Sequence, residues 1–126
     1  MTPPANGADR VREWAQVAAR AASAKGGTDT VVLEVGGVLA ITDAFVITSG
    51  ANQRQVRAIA EEIESRLKAE VGIAPLGIEG AAEAEWVLLD FGDFVVHVFG
   101  EETRHYYDLE RLWSDVPRWE WQPVGS

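Results

Sequence analysis

Residues 86–99 read WVLLDFGDFVVHVF and contain the clearest structural pattern in the chain. Two apolar runs, rich in β-branched and aromatic residues, flank Gly92-Asp93. Glycine in the first position of a two-residue loop is typical of a type II′ β-turn. The resulting hairpin pairs residue 91 with 94, 89 with 96 and 87 with 98. In this register one face is entirely apolar, and it consists of Val87, Leu89, Phe91, Phe94, Val96 and Val98.

The opposite face of the hairpin is amphipathic. It pairs Trp86 with Phe99, Leu88 with His97 and Asp90 with Val95. We expect this face either to lie beneath a helix or to form a partly open surface that presents Trp86, His97 and Phe99 to a partner. Aromatic anchors in a patch poor in lysine are typical of protein interfaces.

The segments on either side of the hairpin predict a mixed α/β domain. Apolar side chains recur at helical spacing over residues 9–25 and again after Asn52, where Gln55 completes a pattern like a capping box. Residues 30–35 and 45–48 have the composition of strands. The second helix is expected to bury a stripe formed by Val56, Ile59, Ala60, Ile63 and Leu67. The fold predicted is a small mixed sheet of about five strands with helices packed on it.

The remaining segments are less regular. We expect a short strand at residues 71–76, a loop at residues 77–85, and a short helix capped by Thr103 that ends before Pro117. The domain is expected to span residues 9–116, between a flexible N-terminus at residues 1–8 and a tail at residues 117–126. The tail carries Trp119 and Trp121, and it is expected to be either an extended segment packed on the domain or an association strip.

Composition excludes several classes of site. The 126 residues include 20 acidic and 11 basic side chains, a net charge of −9, and no cysteine. Without cysteine there is no disulfide framework, thiolate metal site or cysteine nucleophile. The acidic balance argues against sequence-specific binding of nucleic acid. No apolar run approaches the roughly 20 residues of a membrane span, and no signal-peptide pattern occurs at the N-terminus, so we expect a soluble cytoplasmic domain.

The acidic charge is concentrated in the C-terminal half. Residues 69–100 carry six acidic and no basic side chains, and residues 101–126 carry six acidic and three basic ones. This half is expected to be either an ordinary solvated surface or a surface that meets a basic protein partner. In the second case its charge would set the association rate and the orientation of docking.

The sequence contains no complete catalytic motif. Residues 90–92 read DFG, the metal-binding tripeptide of protein kinases, but no glycine-rich phosphate loop or catalytic-loop motif accompanies them. A metal site formed by His97 with nearby carboxylates is an alternative to a sheet histidine that has a hydrogen-bond partner. A nucleotidyltransferase-like enzyme, or another metal- or nucleotide-binding domain, would need carboxylates such as Asp43, Asp90 and Asp93. We expect a binding domain that is not an enzyme and holds no cofactor or metal.

Three blocks of sequence together resemble the ribosomal silencing factor family, also called Iojap-like. The first is ITDAFVITSG at residues 41–50, and the second is RQVRAIA at residues 54–60. The third runs from residues 79–80 through WVLLDFGD at 86–93 and VVHVF at 95–99 to RHYYDLERLW at 104–113. The blocks follow the family's order and cover about residues 11–116. Ala51 stands where many members have Ser, and Glu85 stands where many have Gly.

The resemblance implies a fold related in topology to nucleotidyltransferases but without their active site, and it implies a homodimer. It also implies binding to the large ribosomal subunit through ribosomal protein L-fourteen, on the face that joins the small subunit. Occupying that face would block subunit joining and repress translation when nutrients are short.

The docking region is expected on one hairpin face and the helix that follows. It comprises Trp86, Asp90, His97, Phe99, Arg104, Tyr106, Tyr107, Asp108 and Trp113. Within and beside this region, Leu109, Leu112 and Trp113 are expected to be structural. Besides the ribosome-binding factor and the nucleotidyltransferase-like enzyme, a third hypothesis is that the apolar hairpin face serves only as the interface of a dimer.

Overall fold

A computed structural model describes residues 7–123 of the chain. In chain order its elements are α1 (Gly7–Ala24), β1 (Thr28–Glu34), β2 (Ala44–Gly50), α2 (Gln53–Val71), β3 (Gly77–Glu79), β4 (Trp86–Asp90), β5 (Phe94–Gly100), α3 (Glu101–Tyr107), α4 (Leu109–Leu112) and β6 (Arg118–Trp119). The N-terminus expected to be flexible, residues 1–8, lies outside the described residues except for its last two, which begin α1.

The strands form one mixed sheet in the order β3-β4-β5-β2-β1-β6. The central neighbours β2 and β5 are parallel, and the other neighbouring pairs are antiparallel. The mixed α/β fold is therefore confirmed, with six strands where about five were expected. β2 is buried along its whole length because neighbouring strands flank it and both sheet faces are covered there, which explains its nearly continuous apolar sequence.

The predicted hairpin register is confirmed. Val87 lies opposite Val98 and Leu89 opposite Val96. The Phe91 amide donates to the Phe94 carbonyl over 3.0 Å, and the φ angle of Gly92 is +86°, as the first position of a type II′ turn requires.

The sheet has two different faces, which we call the helix face and the open face. On the helix face, the apolar side of the hairpin joins the main core with α1 and α2. Because these helices cover the apolar hairpin face, it is not free to serve as a dimer interface, and that hypothesis is wrong. The open face carries a second buried cluster, formed by Leu33, Val35, Phe45, Ile47 and Phe99. Leu109 and Trp113 pack against this cluster.

The long helix α2 begins as its sequence predicts and extends to Val71, the first residue of the segment expected to be a strand. The Asn52 side chain accepts a hydrogen bond of 2.9 Å from the Gln55 amide, and the Gln55 side chain accepts one of 2.6 Å from the Ala51 amide. At the other end Gly72 adopts a left-handed conformation with φ of 73°, which favours glycine. The expected stripe of five apolar residues is buried, so α2 is fixed on the helix face.

Two predictions between α2 and the hairpin are wrong. Residues 71–76 form no strand, whereas β3 occupies Gly77–Glu79 within the expected loop. The Leu76 amide donates to the Asp90 carbonyl over 2.7 Å, and Gly77 pairs with Asp90 in the ladder. The edge of β4 therefore selects this strand by backbone pairing, which leaves no pattern of alternating side chains in the sequence.

The helix expected to begin at Thr103 is divided. α3 starts at Glu101 without a side-chain cap, and Asp108 separates it from α4 with a φ of 47°. Because a left-handed residue turns the chain, α3 and α4 do not continue as one helix. Tyr106 is 80% exposed and Leu112 is 75% exposed, so the expectation that Leu112 is structural is wrong.

The tail after Pro117 packs on the domain. Residues Arg118–Trp119 add β6 to the edge of β1, and the Trp119 side chain is buried. The indole of Trp121 donates a hydrogen bond of 3.0 Å to the Thr30 carbonyl, and the Arg12 guanidinium lies 4.8 Å from the Trp119 ring centroid. Of the two interpretations left open by the sequence, this arrangement corresponds to the packed segment.

Candidate docking surface

Aromatic side chains from β4, β5 and α3 meet on the open face. The rings of Trp86 and Phe99 lie 4.8 Å apart between centroids, and Tyr107 approaches Trp86 to 4.9 Å. Phe45 meets the His97 ring edge-on at 4.7 Å. The cross-strand pairing of the hairpin, together with the start of α3 directly after β5, produces this cluster from residues that are distant in sequence.

His97 is held as a neutral ring. The Trp86 Nε1 donates a hydrogen bond of 3.1 Å to the His97 Nδ1, which leaves the ring proton on Nε2. Burial lowers the pKa of His97 to about 4 because the apolar rings around it solvate a cation poorly. Its Nε2 is shielded from solvent and has no hydrogen-bond partner among the described residues.

Arg104 ties α3 and α4 to the sheet. Its Nη1 donates to the Ser49 Oγ over 2.8 Å and to the Thr28 carbonyl over 3.3 Å, and its Nε donates to the Glu110 Oε1 over 2.8 Å. The hydrogen bond from Arg104 holds the pKa of Glu110 below its ordinary value. Partial burial raises this pKa, while the positive charges of Arg104 and Arg118 lower it further. The buried Arg104 therefore has a structural role in this chain.

The nine residues of the predicted docking region separate into three groups by exposure. His97, Phe99 and Arg104 are buried, and Trp86, Asp90 and Trp113 are partly buried. Tyr106, Tyr107 and Asp108 are exposed at the end of α3. The Tyr106 and Tyr107 rings meet edge-on at 5.0 Å. We call Tyr106, Tyr107 and the adjoining Trp86 the tyrosine patch.

The two partly buried residues outside this patch are held by local contacts. The Asp90 carboxylate accepts a hydrogen bond of 2.8 Å from the Gly92 amide and so stabilises the hairpin turn. Trp113 meets Phe45 edge-on at 5.5 Å. Each of these side chains therefore has a structural partner.

A groove of about 400 Å³ lies on the open face near the hairpin turn, beside the aromatic cluster. Phe45, Leu88 and Val95 contribute its apolar lining, and Ile41 and Leu76 stand at opposite sides. Ile41 and Leu76 were not among the predicted site residues, although both are among the most exposed large apolar side chains, at 86% and 79%. For an apolar residue at the end of a loop, the sequence pattern does not show whether the side chain is exposed or buried.

The carboxylates considered for metal binding do not form a metal site. Within residues 7–123, no group of three or more His, Cys, Asp or Glu side chains is arranged to hold a metal ion. A polar cavity of about 240 Å³ near the end of β2 contains Ser49, Arg104 and Glu110, which already bond to one another through the guanidinium. Among residues 7–123, none of the helices combines the length and the hydrophobicity that a membrane span needs.

These features define a small α/β domain with one helix-covered sheet face and one partly open face that carries exposed aromatic and apolar side chains. The family model described as "Ribosomal silencing factor during starvation" matches residues 8–125. The chain therefore belongs to the ribosomal silencing factor family, as its sequence blocks indicated.

Individual relatives agree with this assignment. The chain is 42% identical over 115 residues to the ribosomal silencing factor RsfS of Halalkalibacterium halodurans, covering 91% of this chain and 97% of that protein. It is 44% identical over 102 residues to RsfS of Bacillus subtilis, covering 81% and 86% respectively. A crystal structure of a Chromobacterium violaceum protein matches with a TM-score of 0.79 at 32% identity, covering 92% of this chain and 93% of that one.

Proposed function

We propose that this chain is a ribosomal silencing factor that binds the large ribosomal subunit through ribosomal protein L-fourteen. By occupying the face that receives the small subunit, it prevents the two subunits from joining and represses translation when nutrients are limiting. Membership of the family supports the ribosomal target, and the named protein partner follows from the resemblance.

The tyrosine patch is the observation that supports a docking role most directly. Tyr106 is 80% exposed and Tyr107 is 52% exposed, yet Tyr107 also packs on Trp86 at 4.9 Å. A large ring that is held in place but faces solvent loses little conformational entropy on binding, and tyrosine and tryptophan are enriched among the residues that dominate interface energies.

The charge of the chain supports a basic protein as the target. Glu101, Glu102 and Asp108 are exposed on or beside α3, close in sequence to the tyrosine patch. Acidic side chains around aromatic anchors favour encounter with a cationic surface and penalise approach to bare phosphate. Inhibition then depends on occupancy alone, so this mechanism requires no catalysis and no cofactor.

The homodimer and the cytoplasmic location are proposals that rest on the family resemblance. Light scattering over a range of protein concentrations measures the mass in solution and so tests the homodimer. A mass that stays at 13.7 kDa, that of one chain, at all concentrations would contradict the dimer.

A subunit-joining assay tests the function. Purified large subunits are incubated with the protein, small subunits are added, and whole ribosomes are measured by sedimentation. We expect the parent protein to suppress whole ribosomes and Tyr106→Ala to bind large subunits about tenfold more weakly, since loss of an anchor ring costs at least about 1–2 kcal/mol. Because Tyr106 is largely exposed, this variant should remain folded.

The matched control is Arg54→Ala, which removes an exposed side chain from α2, the helix on the opposite face of the sheet. It should block joining as the parent does. If the parent fails to bind large subunits, the function is wrong. If Tyr106→Ala and Tyr107→Ala both bind like the parent, the placement on the tyrosine patch is wrong.

A further inference from the structure

The groove on the open face is separate from the tyrosine patch. It lies near the hairpin turn, between the loop that precedes β2 and the segment that leads into β3. Its apolar lining from Phe45, Leu88 and Val95 is open to solvent on one side. Ile41 and Leu76 expose their apolar side chains at the two rims of the groove. Burying such side chains against a partner lowers the free energy.

Two polar groups in the groove residues lack hydrogen-bond partners within the described chain. The Thr42 Oγ1 and the His97 Nε2 are both shielded from solvent and unpaired, and both residues belong to the groove lining. Because the Trp86 hydrogen bond keeps the proton on Nε2, His97 offers a donor, while the Thr42 hydroxyl can donate or accept. Unpaired buried groups are costly, so an occupant that supplies their partners recovers free energy.

The charged groups of the groove are all acidic. Glu79 and Asp90 belong to its lining, and no lysine or arginine does. The surrounding segment, residues 69–100, has no basic side chain at all. An occupant carrying lysine or arginine is therefore favoured over an acidic one.

We propose that this groove receives an extended basic segment of the protein partner, with one apolar side chain filling the groove, backbone groups pairing with Thr42 and His97, and cationic side chains meeting Glu79 and Asp90. The inference rests on the proposed function, because the segment belongs to the same large-subunit target. Reaching the shielded polar atoms requires rim side chains to move. Ile41 and Leu76 are the most exposed of the rim and therefore the least constrained by packing.

The Thr42→Val substitution tests the polar part of this proposal. Valine keeps the shape of threonine but removes the unpaired hydroxyl, so the free protein should be as stable as the parent or more stable. Binding to purified large subunits should weaken about fivefold, since one hydrogen bond to the occupant is lost. A hydroxyl with a merely structural role would lower stability and leave binding unchanged, which would contradict the proposal.

The Glu79→Lys substitution tests the charge, and Glu70→Lys is its matched control. Both residues are exposed and both changes alter net charge equally, but Glu70 lies on α2 and away from the groove. Glu79→Lys should weaken binding about fivefold, mainly through slower association. Glu70→Lys should stay within about twofold of the parent.

The outcomes separate this inference from the proposed function. In one outcome, the parent and Glu70→Lys bind large subunits and Tyr106→Ala weakens binding. If Thr42→Val and Glu79→Lys then bind like the parent, only the groove proposal is overturned. If the two groove variants instead change the mass measured by light scattering and not ribosome binding, the occupant is a second copy of this chain and the proposal is equally overturned.

Discussion

At the scale of single residues, the structure separates the buried members of the predicted docking region from the exposed ones. His97 was expected on the amphipathic hairpin face, either beneath a helix or on a partly open surface, and its spacing on β5 does place it on that face. The rings of Phe45 and Trp86 lie against it, and its side chain is buried. Arg104 is also buried, because its guanidinium donates hydrogen bonds to both Ser49 and Glu110. Exposure could not be read from the residue type in either case.

The burial of His97 predicts a specific dependence of stability on pH. Its pKa in the folded protein is about 4, below the ordinary histidine value of 6.5, so the unfolded chain takes up the proton first as pH falls. Stability is therefore full above about pH 6.5 and is lost as pH falls toward 4. Between pH 7 and pH 5 the loss should be about 2 kcal/mol, measured by urea unfolding at the two pH values.

Replacing each histidine in turn assigns this effect. His97→Gln should lose less stability than the parent over that pH interval, whereas His105→Gln, which alters an exposed side chain, should lose the same amount as the parent. A parent protein that is equally stable at pH 7 and pH 5 would contradict the neutral, buried state of His97.

At the scale of elements, the short C-terminal strand closes one edge of the sheet. β6 contributes only two residues, but the Glu34 amide donates to the Pro117 carbonyl over 2.8 Å and Trp119 enters the main core. Gln16 and Arg20 on α1 donate to carbonyls of the tail. Because an open sheet edge invites pairing with other chains, the tail protects β1 as well as stabilising the fold.

Truncating Trp119 tests the role of this strand. Trp119→Ala should lower the free energy of unfolding by about 3 kcal/mol, since it leaves a large cavity beside β1. Trp121→Phe is the comparison, because it removes the indole hydrogen bond to Thr30 and only part of the ring that packs on the main core. It should cost less, about 1–2 kcal/mol. Chemical denaturation measures both, and equal effects of the two variants would show that β6 packing is not the main contribution.

At the scale of the whole molecule, an uneven charge distribution accompanies the two unlike sheet faces. The net charge of −9 predicts long-range attraction to a cationic target, which acts on encounter more than on the bound state. Aromatic and apolar contacts on the open face would then determine how long the complex lasts.

Raising the salt concentration should separate these two contributions. Between about 50 and 300 mM salt, the association rate with purified large subunits should fall at least several-fold while the dissociation rate changes little, because screening shortens the range of exposed charges. Stopped-flow measurements with labelled protein give both rates. An association rate independent of salt would mean that charge does not guide docking.

The elements with a local signal could be predicted from the sequence. The hairpin register followed from alternating side chains around Gly92, α2 followed from its cap and apolar stripe, and three ordered blocks identified the family. Each of these depends on neighbours within a few positions or on a residue pattern that needs no knowledge of packing.

Which surfaces are free depends on packing between distant parts of the chain and could not be predicted from the sequence. β3 and β6 exist because β4 and β1 offer backbone partners, across a short separation for β3 and a long one for β6. Backbone pairing leaves little trace in the side-chain pattern. Asp108 divides α3 from α4 and so exposes Tyr106 and Leu112. The groove near the hairpin turn likewise arises where a loop and a strand from distant parts of the chain meet, since exposure depends on what else packs nearby.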